Sequence, residues 1–239
     1  MEPLSAIPPH EVAHPAMLQV WRDLTFLHWP YSPDAVRALV PRELELDLWD
    51  HAAWVGLVPF AIEGLTHPSM PVIPWLSNFL ETNVRTYVVD RHGRRGVWFF
   101  SLDAARLAAV IGARSAYALP YYWAGLLLER EGSEIRYGGR RVSPRHPEYA
   151  AQVGIGERIA SPSEFEVFLT ARFRLYAHRW GKLLLANVEH PPWPLRQARV
   201  ISLQQNLVQA SGLPSPAGEA IAHFAERVEV KASWPEVAG

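Results

Sequence analysis

The segment that most constrains the fold is residues 79–89, Phe-Leu-Glu-Thr-Asn-Val-Arg-Thr-Tyr-Val-Val, in which polar and apolar side chains alternate. Successive side chains of a β-strand point to opposite faces, so this strand has one polar face and one mostly aliphatic face. Either the polar face is solvated, or the strand belongs to a curved or closed sheet whose polar face lines a cavity. The polar face consists of Glu81, Asn83, Arg85 and Tyr87.

The rest of the chain is also rich in strand patterns. A predicted strand at residues 165–177 again carries polar side chains on one face, and a turn at residues 178–182 joins it to a second strand. The first ordered element is expected at residues 18–28. The sequence therefore predicts a strand-rich α+β fold. Further strands are predicted at residues 44–48, 53–62, 96–102, 123–130, 134–142 and 225–232.

Helices are fewer, and no pattern divides the chain. Short helices are predicted at residues 33–39, 103–111 and 215–224. Residues 67–75 contain three prolines and are predicted to form a loop long enough to cover a site. Because no internal repeat or low-complexity segment interrupts the sequence, residues 1–239 are predicted to form a single domain.

The charge balance argues against several classes of partner. The chain has 23 basic and 24 acidic residues and no long basic run, so neither nucleic acid nor an anionic membrane is an expected partner. It has no cysteine, which removes disulfides and thiolate chemistry. No apolar stretch approaches the roughly 20 residues of a membrane span. We therefore expect a cytoplasmic protein.

The common catalytic signatures are absent from the sequence. It contains no His-Glu-x-x-His, no nucleophile elbow, no phosphate-binding glycine loop and no dinucleotide fingerprint. We expect no metal and no cofactor. His28 and His190 lie beside tryptophan or proline and are candidate site residues, although a lone histidine is also compatible with a hydrogen-bonded structural role.

Six segments resemble the YqjF-like family of uncharacterised bacterial proteins, which is related to acetoacetate decarboxylase. The resemblance extends from about Trp21 to about Leu213. It implies a curved, mainly antiparallel sheet that forms a cone-like barrel with flanking helices and a buried polar cavity, and it is compatible with a homo-oligomer. The segments are WRDLTFLHW, LETNVRTYV, GVWFFSLDA, ARSAYALPYY, FLTARFRLYA and VEHPPWPL.

The same resemblance implies that the decarboxylase chemistry is absent. The decarboxylase forms an imine through a lysine in a Gly-Phe-Pro-Lys-Lys context, seven positions after an arginine. Here Arg114 matches that arginine, and Tyr121 and Tyr122 replace the lysine pair. A phenol cannot form an imine, and the two lysines of the chain, Lys182 and Lys231, fall in a predicted turn and a terminal strand where both are expected to be solvated.

Three functions remain open on the sequence. The first is a protein that binds a small carboxylated or carbonyl compound in a polar cavity; the second is a lyase, hydratase or isomerase that works without an imine. The third is a structural or partner-binding protein, in which the arginines pair with Glu81 and Asp103 and side chains such as Trp123 and Phe100 fill the cavity. The resemblance also implies that Glu81 matches a glutamate of the decarboxylase. The candidate residues are Glu81 and Tyr121 for catalysis, and Arg85, Arg114, Asn83, Tyr122 and His28 for substrate binding.

Overall fold

The computed structural model describes residues 1–107 and 117–239. These residues contain four short helices, α1 Pro33–Arg37, α2 Pro74–Ser77, α3 Glu164–Thr170 and α4 Leu207–Ala210. They also contain fourteen strands, which are β1 Met17–Tyr31, β2 Leu44–Leu46, β3 Leu48–Trp49, β4 Ala52–Thr66, β5 Phe79–Asp90, β6 Arg95–Ala104, β7 Tyr121–Glu131, β8 Glu134–Arg141, β9 Glu148–Arg158, β10 Arg174–Arg179, β11 Lys182–Glu189, β12 Leu195–Gln205, β13 Ile221–Ala232 and β14 Glu236–Val237.

The fourteen strands form one curved sheet. Their order is β14-β11-β10-β6-β7-β8-β9-β12-β13-β1-β4-β5-β2, with β3 paired to β4. Two further pairings, β5 with β6 and β11 with β13, join strands that are distant in this order, so the sheet curves back on itself. All pairings are antiparallel except those of β6 with β7 and with β10. The predicted strand-rich α+β class with a curved, mainly antiparallel sheet is confirmed.

The polar face of β5 is buried inside this curve. Only 4% of Glu81, 4% of Asn83 and 9% of Arg85 is exposed to solvent, and the neighbouring strand β4 is buried along most of its length. A solvated outer face would leave these side chains exposed. The structure therefore supports the interpretation in which the polar face of residues 79–89 lines an interior space.

The predicted strand at residues 165–177 is wrong over its first half. The segment begins as helix α3, and only its end belongs to β10. The side chain of Ser163 accepts a hydrogen bond from the Glu166 backbone, and the Glu166 carboxylate accepts one from the Ser163 backbone. This reciprocal capping box stabilises the first turn of a helix and outweighs the period-2 pattern of the sequence that follows.

Two predicted helices also need correction. Asp103 lies in β6, where it pairs with Thr82, so no helix begins there; residues 108–111 of that prediction lie outside the described residues. Residues 215–220 form no helix, and β13 begins at Ile221 because it pairs with the long strand β1. Strands β9 and β12 were not predicted. Within residues 1–107 and 117–239, no helix has both the length and the apolar character needed to cross a membrane.

Candidate functional site

A cavity of about 360 Å³ lies on the inner side of the curved sheet. Most of its wall is apolar, which corrects the prediction of a polar cavity. The polar lining groups lie on β5, at the first residue of β7, at one position of β1, at residue 117 before β7, and at residues 170–174 between the end of α3 and the start of β10. The polar and ionisable lining residues are Gln19, Glu81, Asn83, Arg85, Tyr117, Tyr121, Thr170, Arg172 and Arg174, and the aromatic ones without a hydroxyl are Trp21, Phe60, Phe79, Phe99, Trp193 and Trp234.

Strand β5 places three polar side chains in a row along the cavity. Glu81, Asn83 and Arg85 occupy alternate positions and therefore share one face. At about 3.3 Å per residue, the Cα atoms of Glu81 and Arg85 are about 13 Å apart. We call this row the polar ladder. Its Glu81 end lies beside Phe60 of β4, and its Arg85 end lies beside Gly56.

Glu81 and Tyr121 form a buried hydrogen-bonded pair. The Tyr121 hydroxyl donates to Glu81 Oε2 at 2.8 Å. Burial raises the pKa of Glu81 to about 7, although the hydrogen bonds from Tyr121 and Asn83 oppose that shift. Burial, together with the Glu81 charge, raises the pKa of Tyr121 well above its usual value. Near neutral pH, Glu81 can therefore both hold and release a proton.

Arg85 has no acidic partner among the described residues. Its Nη2 lies 3.4 Å from the Leu169 carbonyl oxygen and 3.5 Å from the Tyr87 hydroxyl, both long for hydrogen bonds, and its buried Nε has no acceptor there. The guanidinium lies 5.5 Å from the ring centroid of Phe26. Asn83 Oδ1 is likewise buried and without a partner in the described part of the chain.

The buried network expected of a purely structural role is present at Asp103 and not at Glu81. Asp103 is bound by Arg141, with 2.7 Å between Arg141 Nη2 and Asp103 Oδ1, and Glu81 is bound by Tyr121. Within residues 1–107 and 117–239, no arginine forms an ion pair with Glu81. The polar ladder is therefore not an arginine–carboxylate network.

Two further arginines, Arg172 and Arg174, line the cavity. Neither was among the site residues predicted from the sequence. Arg172 Nη2 lies 3.0 Å from Asp47 Oδ2, and burial lowers the pKa of Arg172 to about 10. Arg174 Nη1 lies 2.6 Å from Glu2 Oε2. Both lie on the polar face of the strand predicted at residues 165–177, but their carboxylate partners are more than 120 residues away in the sequence. Unlike Arg85, both are paired with a carboxylate.

Two of the predicted binding residues lie outside the cavity wall. Tyr122 packs against Arg141, whose guanidinium carbon lies 3.8 Å from the centroid of the tyrosine ring. His28 is fully buried behind Arg85, and its Nε2 lies 2.6 Å from the Tyr87 hydroxyl. Burial and the Arg85 charge hold the pKa of His28 well below its usual value, so it is neutral. Another predicted binding residue, Arg114, lies outside the described residues.

His190 also belongs to the packing around the cavity. Its ring centroid lies 4.5 Å from that of Trp193, and burial lowers its pKa to about 4. Neither lysine lines the cavity: Lys182 is exposed at the β10–β11 turn, and Lys231 is paired with Glu189 at 2.9 Å. Since these are the only lysines in the chain, the cavity holds no lysine amine.

The aromatic side chains form a continuous wall along one side of the cavity. The Trp21 ring is stacked on Trp193 with centroids 6.0 Å apart, and it meets Phe60 edge to face at 5.7 Å. Phe26 packs behind the wall, 5.2 Å from Trp193, and also contacts the Arg85 guanidinium. We call Trp21, Phe60 and Trp193 the aromatic wall. These three residues are far apart in the sequence, so the sequence alone could not show that they form one surface.

Other side chains could have closed the cavity but do not. Trp123 is 44% exposed on the outside of β7, and Phe100 packs against a different part of the core. Neither lines the cavity.

Among the described residues, no group of three histidine, aspartate or glutamate side chains is arranged to hold a metal ion.

Comparisons with known proteins place the chain among uncharacterised relatives. The model of the DUF2071 family, described as an uncharacterized conserved protein, matches residues 18–229. The uncharacterized protein YqjF of Bacillus subtilis (strain 168) is 36% identical over 221 residues, which cover 92% of this chain and 90% of YqjF. This similarity extends over most of both chains.

Solved structures with the same fold include two enzymes. One is the enduracididine biosynthesis enzyme MppR complexed with pyruvate, with a TM-score of 0.68 and 13% identity over 97% of this chain and 93% of MppR. The other is acetoacetate decarboxylase from Legionella pneumophila subsp. pneumophila str. Philadelphia 1, with a TM-score of 0.68 and 13% identity over 95% of this chain and 88% of that enzyme. At these identities the similarity shows a shared fold alone.

Proposed function

The chain belongs to the DUF2071 family, and we propose that it is a binding protein that holds a small carboxylated compound in the cavity of its curved sheet. The carboxylate of the compound lies on the Arg85 guanidinium, and its remaining atoms face the apolar wall. The observation that carries this proposal is the buried guanidinium of Arg85, which lines the cavity without a carboxylate partner among the described residues.

Arg85 carries a buried charge that the described residues compensate only weakly. A buried charge is unfavourable unless a counter-charge or good hydrogen bonds compensate it. The two hydrogen bonds of Arg85 are both long, and the rings of Phe26 and Tyr87, at 5.5 and 5.6 Å, supply only weak electrostatic contacts. A carboxylate fits the planar guanidinium with two parallel hydrogen bonds, so it would supply the missing compensation.

A second polar group without a partner among the described residues lies beside Arg85 on the polar ladder, and it can bind a hydrogen-bond donor of the ligand. Asn83 lies two residues before Arg85, and its buried Oδ1 has no partner in the described part of the chain. An amide oxygen accepts a hydrogen bond, so it can receive one from a hydroxyl or an amine of the ligand. Imine formation is not part of the proposal, because neither lysine lines the cavity.

A second candidate function rests on the Glu81–Tyr121 pair. A carboxyl group with a pKa of about 7 can act as general acid and general base at neutral pH, and Tyr121 holds its orientation. The corresponding activity is a lyase, hydratase or isomerase reaction that moves a proton on a bound carbonyl compound. Its test is the exchange of C–H hydrogens of a bound keto acid with D₂O, followed by NMR. Loss of exchange in Glu81→Gln with ligand binding retained would support catalysis.

The binding proposal is tested by thermal shift and calorimetric titration. The ligands are small keto acids, hydroxy acids and aromatic carboxylates, each compared with its uncharged primary amide. The proteins are the wild type, Arg85→Met, and Arg227→Gln as the matched control. Arg227 lies on β13 with its side chain 53% exposed, so its loss removes a positive charge outside the cavity.

The expected result is that at least one acid stabilises the wild type and Arg227→Gln, while Arg85→Met and all the amides show no shift. An acid that stabilises Arg85→Met as strongly as the wild type would contradict the assignment of Arg85. If no acid shifts the wild type, the binding proposal is wrong. Cytoplasmic location and assembly into a homo-oligomer remain predictions from the sequence.

A further inference from the structure

The aromatic wall indicates what kind of carboxylate the cavity accepts. The three side chains of the wall are Trp21, Phe60 and Trp193, and all of them line the cavity. The Trp21 ring lies between the other two and contacts both. Phe60 lies directly across from Glu81 in the β4–β5 register, and Trp21 lies across from Ile62 in the β1–β4 register. The wall therefore extends from Phe60, beside the Glu81 end of the polar ladder, toward Arg85, because Trp193 packs against Phe26 and Phe26 contacts the Arg85 guanidinium.

The charges of the cavity indicate how many anionic groups the ligand carries. Of the three arginines that line it in the described part of the chain, Arg172 is paired with Asp47 and Arg174 with Glu2. Arg85 alone has no carboxylate partner there. A monoanion neutralises this single charge, whereas a second carboxylate would have to replace an existing ion pair or remain buried without a partner.

The dimensions of the cavity set the size of the ligand. A volume of about 360 Å³ is far larger than a two- or three-carbon acid needs. At the roughly 30 Å³ that one water occupies in the liquid, the cavity has room for about a dozen non-hydrogen atoms. The cavity also extends along the polar ladder from Arg85 to Phe60 beside Glu81, so a small acid held on Arg85 would leave part of the aromatic wall uncovered.

From these three features we infer that the ligand is an elongated monocarboxylate with an aryl or branched alkyl end, such as an arylalkanoic acid, whose carboxylate binds Arg85 and whose apolar end packs against Trp21, Phe60 and Trp193. This inference rests on the proposed function, since it specifies the ligand of the same cavity. It adds an expected order of affinities: an acid that only reaches Arg85 binds more weakly than one that also covers the aromatic wall.

A homologous series of ligands tests the inference by calorimetric titration. The series is acetate, benzoate, phenylacetate, 3-phenylpropanoate and 4-phenylbutanoate, and its uncharged control is 3-phenylpropanamide. Each methylene placed against the wall adds about 0.8 kcal/mol, or about fourfold in affinity. We therefore expect affinity to rise along the series up to 3-phenylpropanoate or 4-phenylbutanoate, and the amide to bind at least tenfold more weakly than its acid.

Two variants locate the two ends of the ligand. Trp21→Leu shortens the wall and should remove most of the gain between acetate and the aryl acids. Its matched control is Trp180→Leu, because Trp180 is 85% exposed at the β10–β11 turn. Arg85→Met should weaken every acid in the series. Circular dichroism and thermal unfolding without ligand establish that each variant is folded before titration.

The outcomes separate the inference from the proposed function. If acids bind through Arg85 with an affinity that is independent of the apolar end, the inference is wrong and the proposed function stands. If aryl acids and the amide bind equally well, the cavity recognises an apolar body and the carboxylate assignment at Arg85 is also wrong. If the folded wild type binds no member of the series, the inference is overturned, and binding of a small keto or hydroxy acid through Arg85 then decides whether the proposed function stands.

Discussion

Replacing Glu81 by glutamine should change how the stability of the protein depends on pH. The pKa of Glu81 is raised from 4.5 to about 7 in the folded state because the carboxyl group is buried. The folded state therefore retains the proton at a pH where the unfolded state has lost it. The sign follows directly: the Glu81 contribution to stability is fully present below about pH 4.5 and is lost as the pH rises to about 7.

The magnitude follows from the same two pKa values. One pKa unit corresponds to 1.36 kcal/mol, so the full shift represents about 3 kcal/mol, of which about 2.5 kcal/mol is lost between pH 5 and pH 8. Glutamine has no titrating proton. The free energy of unfolding of Glu81→Gln, relative to the wild type, should therefore rise by about 2.5 kcal/mol from pH 5 to pH 8.

Urea unfolding followed by tryptophan fluorescence measures this difference, since the chain has ten tryptophans. Both proteins are unfolded by urea at pH 5, 6, 7 and 8 at constant ionic strength. The buried histidines contribute equally to both free energies of unfolding, so their titration cancels when one is subtracted from the other. Glu157→Gln, which removes an exposed carboxyl group on β9, is the control for losing one carboxylate. A difference between Glu81→Gln and the wild type that stays constant within 0.5 kcal/mol, or that falls with pH, would refute the reasoning.

Three further outcomes are expected. Tyr121→Phe removes a hydrogen bond that lowers the Glu81 pKa in the folded state, so the pH-dependent loss of stability should extend to higher pH in the same urea series, with about 1 kcal/mol of overall destabilisation. Arg141→Met leaves the Asp103 carboxylate buried without its partner, so urea unfolding at pH 7 should show a loss of about 3–5 kcal/mol, against less than about 1 kcal/mol for the exposed control Arg140→Met. Borohydride reduction in the presence of acetoacetate or pyruvate should give no covalent adduct by intact mass, whereas an adduct at one lysine would contradict the absence of imine chemistry.

The helices were less predictable than the strands because one segment of the sequence can carry both a helix signal, such as a capping box, and a strand signal, such as alternating polar and apolar residues. The capping box at Ser163 and Glu166 was present in the sequence, yet the alternating residues that follow it suggested a strand. Residues 215–220 begin with Ser215 and Pro216, which suit the start of a helix, but Gly218 adopts a φ of +74° and β13 begins at Ile221, where it pairs with β1. Pairing with a distant strand stabilises β13, and the local sequence pattern does not show that pairing.

The sequence by itself determined that Glu81, Asn83 and Arg85 lie on one face of one strand, because the period of a β-strand is a local property of the backbone. It also determined that imine chemistry has at most two lysines available. Only the tertiary structure decided that this face is enclosed, that Tyr121 meets Glu81, and that Arg172 and Arg174 are paired while Arg85 is not. The reason is that these decisions depend on contacts between residues far apart in the chain, as between Arg172 and Asp47, and such contacts form only when the sheet curves back on itself.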